Sequence, residues 1–245
     1  MSDWKHPGRT GAIVYGFAAT LVGGLVTVVS RLRIAHARGQ ARVVQALPDG
    51  PVIVISNHVS AVDGVLLAIV CRRLGRPARL LAKAELFKVP ALGWALRRIG
   101  FIPVRRGTDA AADSLDAAAA ALEAGEVVAL FPEGRYTRDP DRWPERAKTG
   151  AVRLALRTGA PIVPVAMEGA HRVLGARNAV VNLLRNVVLR PKVTTRVGEP
   201  LDIASLLQGP ATPDEVRRVT DVVMGRLIDL LEELRGERAP SPAGP

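Results

Sequence analysis

Apolar and polar positions alternate along this chain in blocks that read as strands and helices in turn. Gly11 to Ser30 carries no charged residue, and as a helix it would run about 30 Å, enough to cross a hydrocarbon core. A polar turn, Pro48-Asp49-Gly50-Pro51, separates two short β-rich runs, Arg42–Gln45 and Val52–Ser56. The second is continuously apolar, as expected of a strand buried on both faces. The spacing then predicts a helix over Asp63–Leu74, a strand over Ala78–Ala82, a short helix over Leu92–Ile99 and a strand over Phe101–Val104. Further helices are predicted over Thr108–Ala124 and Gly150–Thr158, with strands over Val127–Phe131 and Ile162–Ala166. Lys192–Val197 alternates like an exposed edge strand. Asp214–Leu234 repeats its apolar residues at helical spacing.

Strands alternating with helices predict an α/β fold, layered, with a central mostly buried sheet flanked by helices and an N-terminal membrane-associating helical segment. The expected organisation is a membrane-anchoring segment over 1–41, a catalytic domain over 42–235 and a disordered tail over 236–245. The flanks of the apolar segment are basic, with Lys5 and Arg9 before it and Arg31, Arg33, Arg38 and Arg42 after it. If it spans, the heavier downstream charge puts the body of the protein on the cytoplasmic side of the cell membrane. Gly11, Gly16, Gly23 and Gly24 leave a helical hairpin dipping into one leaflet as a second reading, and a buried helix of a soluble protein as a third.

The formal net charge of +11 suits an anionic membrane surface, an acidic substrate or an acidic carrier. Nucleic acid is the weakest partner, because the basic residues are not interleaved with stacking aromatics. The lone cysteine, Cys71, lies in an apolar run and reads as a reduced core thiol. The histidines His6, His36, His58 and His171 are scattered, so no metal site is expected. No phosphate-cradling glycine loop and no Gly-x-Ser-x-Gly elbow occurs, and no bound cofactor is expected.

Candidate chemistry gathers where apolar strands end. His58 and Asp63 follow one buried strand and precede a helix. In a continuous helix residues five apart face about 140° from each other, and in a strand they face opposite sides, so the two can meet only across a turn. Once together, the carboxylate can fix the imidazole tautomer and leave the second nitrogen free to take a proton. Alone, a His-x4-Asp pair reads better as a sheet-capping histidine and a helix-capping aspartate. Phe131-Pro132-Glu133-Gly134-Arg135-Tyr136-Thr137-Arg138 also follows an apolar strand; Glu133 with Arg135 and Arg138 could bind a phosphate and orient a glycerol backbone, or form a surface turn with solvated charges. Arg105 and Arg106 end a third strand, where they suit a bidentate grip on phosphate or a solvated strand end.

Taken together, Asn57-His58-x4-Asp63, Gly100-Phe101-Ile102-Pro103-Val104-Arg105-Arg106, Phe131-Pro132-Glu133-Gly134 and Val163-Pro164-Val165 resemble the glycerolipid acyltransferase superfamily, whose bacterial archetype is 1-acylglycerol-3-phosphate acyltransferase. The resemblance covers about Val43 to Ala170. It implies His58 as general base with Asp63 as its partner, Arg106 as a phosphate ligand and Arg105 as an extra contact. It also implies Glu133 and Gly134 as the acceptor-binding turn, with Lys83 and Lys148 at the site. Many members read Glu-Gly-Thr-Arg-Ser, whereas Gly134 is followed here by Arg135 and Tyr136, as if the arginine had moved by one position. The implied activity is transfer of an acyl group from acyl-CoA or acyl carrier protein to a lysophospholipid acceptor at a membrane lipid surface. Other acceptors open to the same site are glycerol-3-phosphate, a different lysophospholipid or an acyl-amino-acid lipid. A non-catalytic membrane-binding protein on the same fold is the alternative of a different class.

Overall fold

The computed structural model describes residues 4, 6–36, 46–104, 110–173 and 179–240. The elements run in the order α1 (Gly8–Val29), β1 (Arg31–His36), β2 (Val52–Ser56), α2 (Asp63–Arg73), β3 (Ala78–Lys83), α3 (Pro90–Arg98), β4 (Ile102–Val104), α4 (Ala110–Glu123), β5 (Val127–Leu130), α5 (Gly150–Thr158), β6 (Ile162–Glu168), α6 (Ala179–Leu189), β7 (Lys192–Val197) and α7 (Pro213–Arg235). The strands form one sheet in the order β1-β7-β6-β2-β5-β3-β4. From β6 to β4 all neighbours are parallel, whereas β7 runs antiparallel to β6 and β1 parallel to β7. This is the expected α/β class, a mixed sheet between two helical layers.

The alternation of side chains along β2 divides the core. Val52 and Val54 point to the layer containing Leu66, Leu67 and Val70 of α2 and Val26 and Val29 of α1. Ile53 and Ile55 point to Leu122 of α4, Val152 of α5 and Val219 of α7. Both faces of β2 are closed to solvent, which is why its sequence is apolar without interruption.

Two expectations change. Lys192–Val197 is not an edge strand: β7 lies between β6 and β1, with Val193 and Val197 buried. The edge on that side is β1, whose Arg31 and Arg33 are exposed on one face while Leu32 and Ile34 are half-buried on the other; the sequence reading had placed it in the anchoring segment. The strand expected at Arg42–Gln45 lies outside the described residues. The helix α6 was not foreseen. Among its described side chains Leu184, Val187 and Val188 face outward while the buried one is the polar Asn186, the reverse of a core-facing apolar stripe.

Candidate active site

The chemistry-bearing segments meet because four parallel strands end on the same side of the sheet. β2 pairs with β5 in register, Ile55 opposite Leu130, so the chain leaving β2 at Asn57-His58 runs beside the chain leaving β5 at Phe131-Pro132-Glu133. β3 ends beside them at Lys83, and β4 at Val104.

His58 is fixed on every side. The turn between it and Asp63 brings His58 Nδ1 to 3.0 Å from Asp63 Oδ2. The same oxygen accepts the backbone N–H groups of Val59 and Ser60 at 2.6 and 2.7 Å. Asp63 is wholly buried at the start of α2, where the helix end favours a negative charge. A carboxylate so placed stays where the imidazole needs it and holds Nδ1 as the N–H nitrogen. Nε2 is then the nitrogen available to the cavity that the ring lines. Phe131 stacks on the ring at 3.9 Å and 10°, and Tyr136 meets it edge-on at 4.3 Å.

The backbone of His58 is held as firmly as its ring. Its N–H donates to Glu133 Oε1 at 3.1 Å, and its carbonyl accepts from Thr137 N–H at 2.8 Å. The other Glu133 oxygen accepts the N–H of Glu145 at 3.0 Å. Asn57 clamps the neighbouring strand, accepting Met167 N–H at 2.8 Å and donating to Met167 O at 2.9 Å. Burial pushes the Glu133 carboxyl up to about 7, opposed by its two backbone hydrogen bonds and reinforced by the nearby Glu145 and Asp63.

A cavity of about 270 Å³ opens at the imidazole. Its lining includes His58, Lys83, Tyr136 and Lys148, with Gly134 between them in the chain, and the apolar Leu81, Leu86, Leu115 and Leu130. The Lys83 ammonium sits 5.5 Å over the Tyr136 ring. Gly134 has φ 70°, and a Cβ there would stand 3.2 Å from Lys148 Cε, so glycine serves both the turn and the close approach of the lysine.

The expected site residues therefore divide. His58, Lys83, Gly134 and Lys148 line the cavity, with Asp63 directly behind the ring. Glu133 is buried under the His58 peptide, where its oxygens hold backbone rather than face the cavity. Arg135 turns to Glu145, 3.1 Å away, and does not line the cavity. Arg105 and Arg106 lie outside the described residues; Val104 before them is a lining residue. Tyr136, which the sequence offered only as a departure from pattern, lies against the imidazole. Ser114 and Leu115 reach the cavity from α4, a contribution that no motif signals.

Residues 36–168 match the family model described as Acyltransferase. A 1-acyl-sn-glycerol-3-phosphate acyltransferase of Borreliella burgdorferi is 26% identical over 185 residues, 75% of this chain and 67% of that protein. A protein of the same name from Pseudomonas aeruginosa is 30% identical over 135 residues, 54% of this chain and 50% of that protein. The chloroplastic 1-acyl-sn-glycerol-3-phosphate acyltransferase BAT2 of Brassica napus is 31% identical over 127 residues, which span 51% of this chain and 35% of the plant protein. The match thus covers about a third of that relative's length. The crystal structure of the 1-acyl-sn-glycerophosphate (LPA) acyltransferase PlsC from Thermotoga maritima has the same fold, with a TM-score of 0.62 at 22% identity over 92% of this chain and 83% of that one.

Proposed function

The chain belongs to the acyltransferase family, and from that premise we propose that it moves an acyl group from a thioester to the free hydroxyl of 1-acylglycerol-3-phosphate, with His58 as general base. The observation that carries this reading is the 3.0 Å contact of His58 Nδ1 with the buried Asp63 carboxylate at a cavity that also holds Lys83 and Lys148.

The acceptor hydroxyl gives its proton to His58 Nε2 as its oxygen attacks the thioester carbonyl. Asp63 stabilises the imidazolium that forms. The tetrahedral intermediate then expels the thiolate, which takes the proton back from His58, and the ester and free thiol leave. The two lysines hold the acceptor phosphate and so place the hydroxyl at the imidazole. The apolar residues in the cavity lining suit an acyl chain. The donor is acyl-CoA or acyl carrier protein, and either anionic partner suits a chain of net charge +11.

The membrane surface enters through α1. It is the one helix among the described residues long and apolar enough to cross a membrane. Yet both of its ends are bound to the same domain. Before it, Trp4 Nε1 donates to Gly100 O at 3.2 Å and His6 meets Glu126 at 3.0 Å. After it the chain passes directly into β1, with Arg31 N–H on Pro191 O. Were the helix to cross the bilayer, its two ends would lie on opposite sides of about 30 Å of hydrocarbon, and one of these attachments to the single domain would have to be given up. The reading this favours is a helix lying in the interfacial plane of the cell membrane. Ile13, Phe17, Leu21 and Leu25 form its outward stripe, with Leu184, Val187 and Val188 of α6 exposed as well. Basic residues around this face draw it to anionic lipid, each contributing about 1 kcal/mol where it lies at the surface. We place the domain on the cytoplasmic side, on the ground that its anionic thioester donor is a cytoplasmic species; the charge flanking α1 bears on sidedness only for a spanning helix.

The test is a panel of acceptors (1-acylglycerol-3-phosphate, glycerol-3-phosphate, other lysophospholipids) offered with labelled acyl-CoA or acyl carrier protein. His58→Ala is expected to lower turnover at least about a hundredfold in a folded protein. Full turnover in folded His58→Ala overturns the assignment of the base. Release of free fatty acid without acceptor points instead to hydrolysis, and tight vesicle binding without transfer to any acceptor points to a non-catalytic protein.

A further inference from the structure

The segment after β5 has no regular structure between Pro132 and Thr149, yet it carries Gly134, Tyr136 and Lys148 to the cavity. Its tip turns through Asp139–Trp143, where Asp139 Oδ1 accepts the N–H groups of Asp141 and Trp143 at 2.9 and 3.1 Å. Arg142 in this turn adopts φ 63°, a left-handed conformation unusual for a residue other than glycine. Such a conformation persists where its surroundings over-determine it.

Those surroundings come from α7. Arg235, its last residue, is 7% exposed at the side chain and uses each nitrogen on a different partner. Its Nη1 donates to Asp141 O at 2.9 Å, its Nη2 to Arg142 O at 3.1 Å and its Nε to Glu168 Oε2 at 2.8 Å. The guanidinium plane also lies 4.3 Å from the Trp143 ring. One flat fork thus ties the loop tip to the end of β6 and stacks on the loop's buried aromatic, a combination that a lysine ammonium cannot reproduce. A second α7 residue, Arg217, donates to Ala147 O at 2.6 Å next to Lys148.

From the tip, two short routes reach the imidazole's own peptide. Trp143 O accepts from Thr137 Oγ1 at 2.7 Å, and Thr137 N–H donates to His58 O at 2.8 Å. Glu145 N–H binds Glu133 Oε2 at 3.0 Å, and Glu133 Oε1 accepts His58 N–H at 3.1 Å. We propose that Arg235 is a positioning residue: it braces the 133–148 loop in the conformation that sets Tyr136 and Lys148 beside His58. The brace rests on the acyl-transfer reading for its consequence in catalysis, but not for its effect on the loop. It is supplied by a helix outside residues 36–168, the stretch that the family model matches.

The experiment uses the full chain with Arg235→Ala and Arg235→Lys, the latter keeping charge and stem while losing the fork. Amide hydrogen exchange is read at Thr137 and Glu145, and at Val54 in β2 as a reference. Exchange at the two loop amides is expected to rise about tenfold or more in Arg235→Ala and by less in Arg235→Lys, with Val54 unchanged. Acyl transfer to 1-acylglycerol-3-phosphate is expected to lose about tenfold or more in kcat/KM. Added guanidinium at millimolar concentration should restore part of it in Arg235→Ala but none in wild type. Unchanged loop exchange, or loosened exchange with intact kcat/KM and no rescue, overturns the proposal. A rise at Val54 equal to that in the loop also overturns it, since the role is then general stability. If wild type transfers to no acceptor while the loop still loosens on substitution, the acyl-transfer reading fails and the brace on the loop stands.

Discussion

The Glu133 carboxylate accepts the backbone N–H of His58 at 3.1 Å, so a residue of one motif fixes the main chain of another that lies 75 positions earlier. Its second oxygen holds Glu145 N–H, and the whole group is nearly closed to solvent. Two accepted hydrogen bonds favour the ionised form, while burial disfavours it, and burial prevails: the carboxyl is raised from 4.5 to about 7.

That shift makes stability depend on pH in a defined direction. Between 4.5 and about 7 the folded state binds more protons at Glu133 than the unfolded chain does. Stability from this group is therefore complete below 4.5 and is lost as pH rises through about 7. The change is at most roughly 3 kcal/mol across that window. Glu133→Gln should abolish this component. It should also lower stability throughout, because its amide nitrogen confronts a backbone N–H that then lacks an acceptor, a loss of about 1–3 kcal/mol. Urea unfolding midpoints of both proteins from pH 4 to 8 check the two effects. A wild-type profile that rises across the window, or one that Glu133→Gln leaves unaltered in slope, would contradict the assignment.

Asp63→Asn keeps the shape of the side chain but removes its charge from the imidazole. The wholly buried Oδ2 accepts three hydrogen bonds, from His58 Nδ1, Val59 N and Ser60 N. With its amide oxygen in the Oδ2 place an asparagine can still accept these donors, but its NH2 then takes the buried Oδ1 place, which has no hydrogen-bond partner, and a neutral amide gives little support to an imidazolium. The expected outcome is a fall in kcat of at least about a hundredfold with a much smaller change in acceptor KM. Steady-state kinetics over acceptor concentration read the split; a loss confined to KM would assign Asp63 to binding instead.

Gly134→Ala should act on the acceptor rather than on the base. The φ of 70° strains any L side chain, at a cost of about 1 kcal/mol, and the added methyl crowds Lys148 Cε at 3.2 Å. If Lys148 holds the acceptor phosphate, its displacement raises KM for 1-acylglycerol-3-phosphate about tenfold and leaves KM for the acyl donor near its starting value. Equal effects on both substrates would argue that the lysine does not discriminate between them.

Much of the site was legible because its motifs sit at the ends of neighbouring parallel strands, where short sequence spacing and local turns decide geometry. The His58–Asp63 meeting follows from that logic. Glu133 was visible as a residue but not in its task, since a carboxylate that serves two distant backbone N–H groups has no pattern of its own. Tyr136 was hidden by the offset after Gly134. The edge strand β1 was absorbed into the reading of a membrane segment because charge follows the apolar run directly. The brace from Arg235 could not be read at all: it joins α7 to a loop 94 positions earlier, and nothing local in either segment announces the pairing.

The orientation of α1 can be decided by where its ends are reachable. Arg9 in the first turn of α1 and Arg31 just past its end are both exposed. The tethers at Gly100 and Glu126 on one side, and β1 on the other, keep both in the same aqueous phase if the helix lies along the surface. Single cysteines placed as Arg9→Cys and Arg31→Cys should then react with a membrane-impermeant maleimide from one and the same face of sealed membrane vesicles. The native Cys71 is fully buried and contributes no background. The outward stripe gives an independent readout. Phe17, 73% exposed, should lose affinity for phosphatidylglycerol vesicles by about ten- to a hundredfold on substitution by glutamate, since inserting a phenyl ring contributes about 1.5–3 kcal/mol. Leu122→Ala in the core destabilises the fold without touching that stripe, so its vesicle affinity should stay at the wild-type value while the protein remains folded. Labelling of the two cysteines from opposite faces would mean that the helix crosses the bilayer and that the tethers at its start are released there.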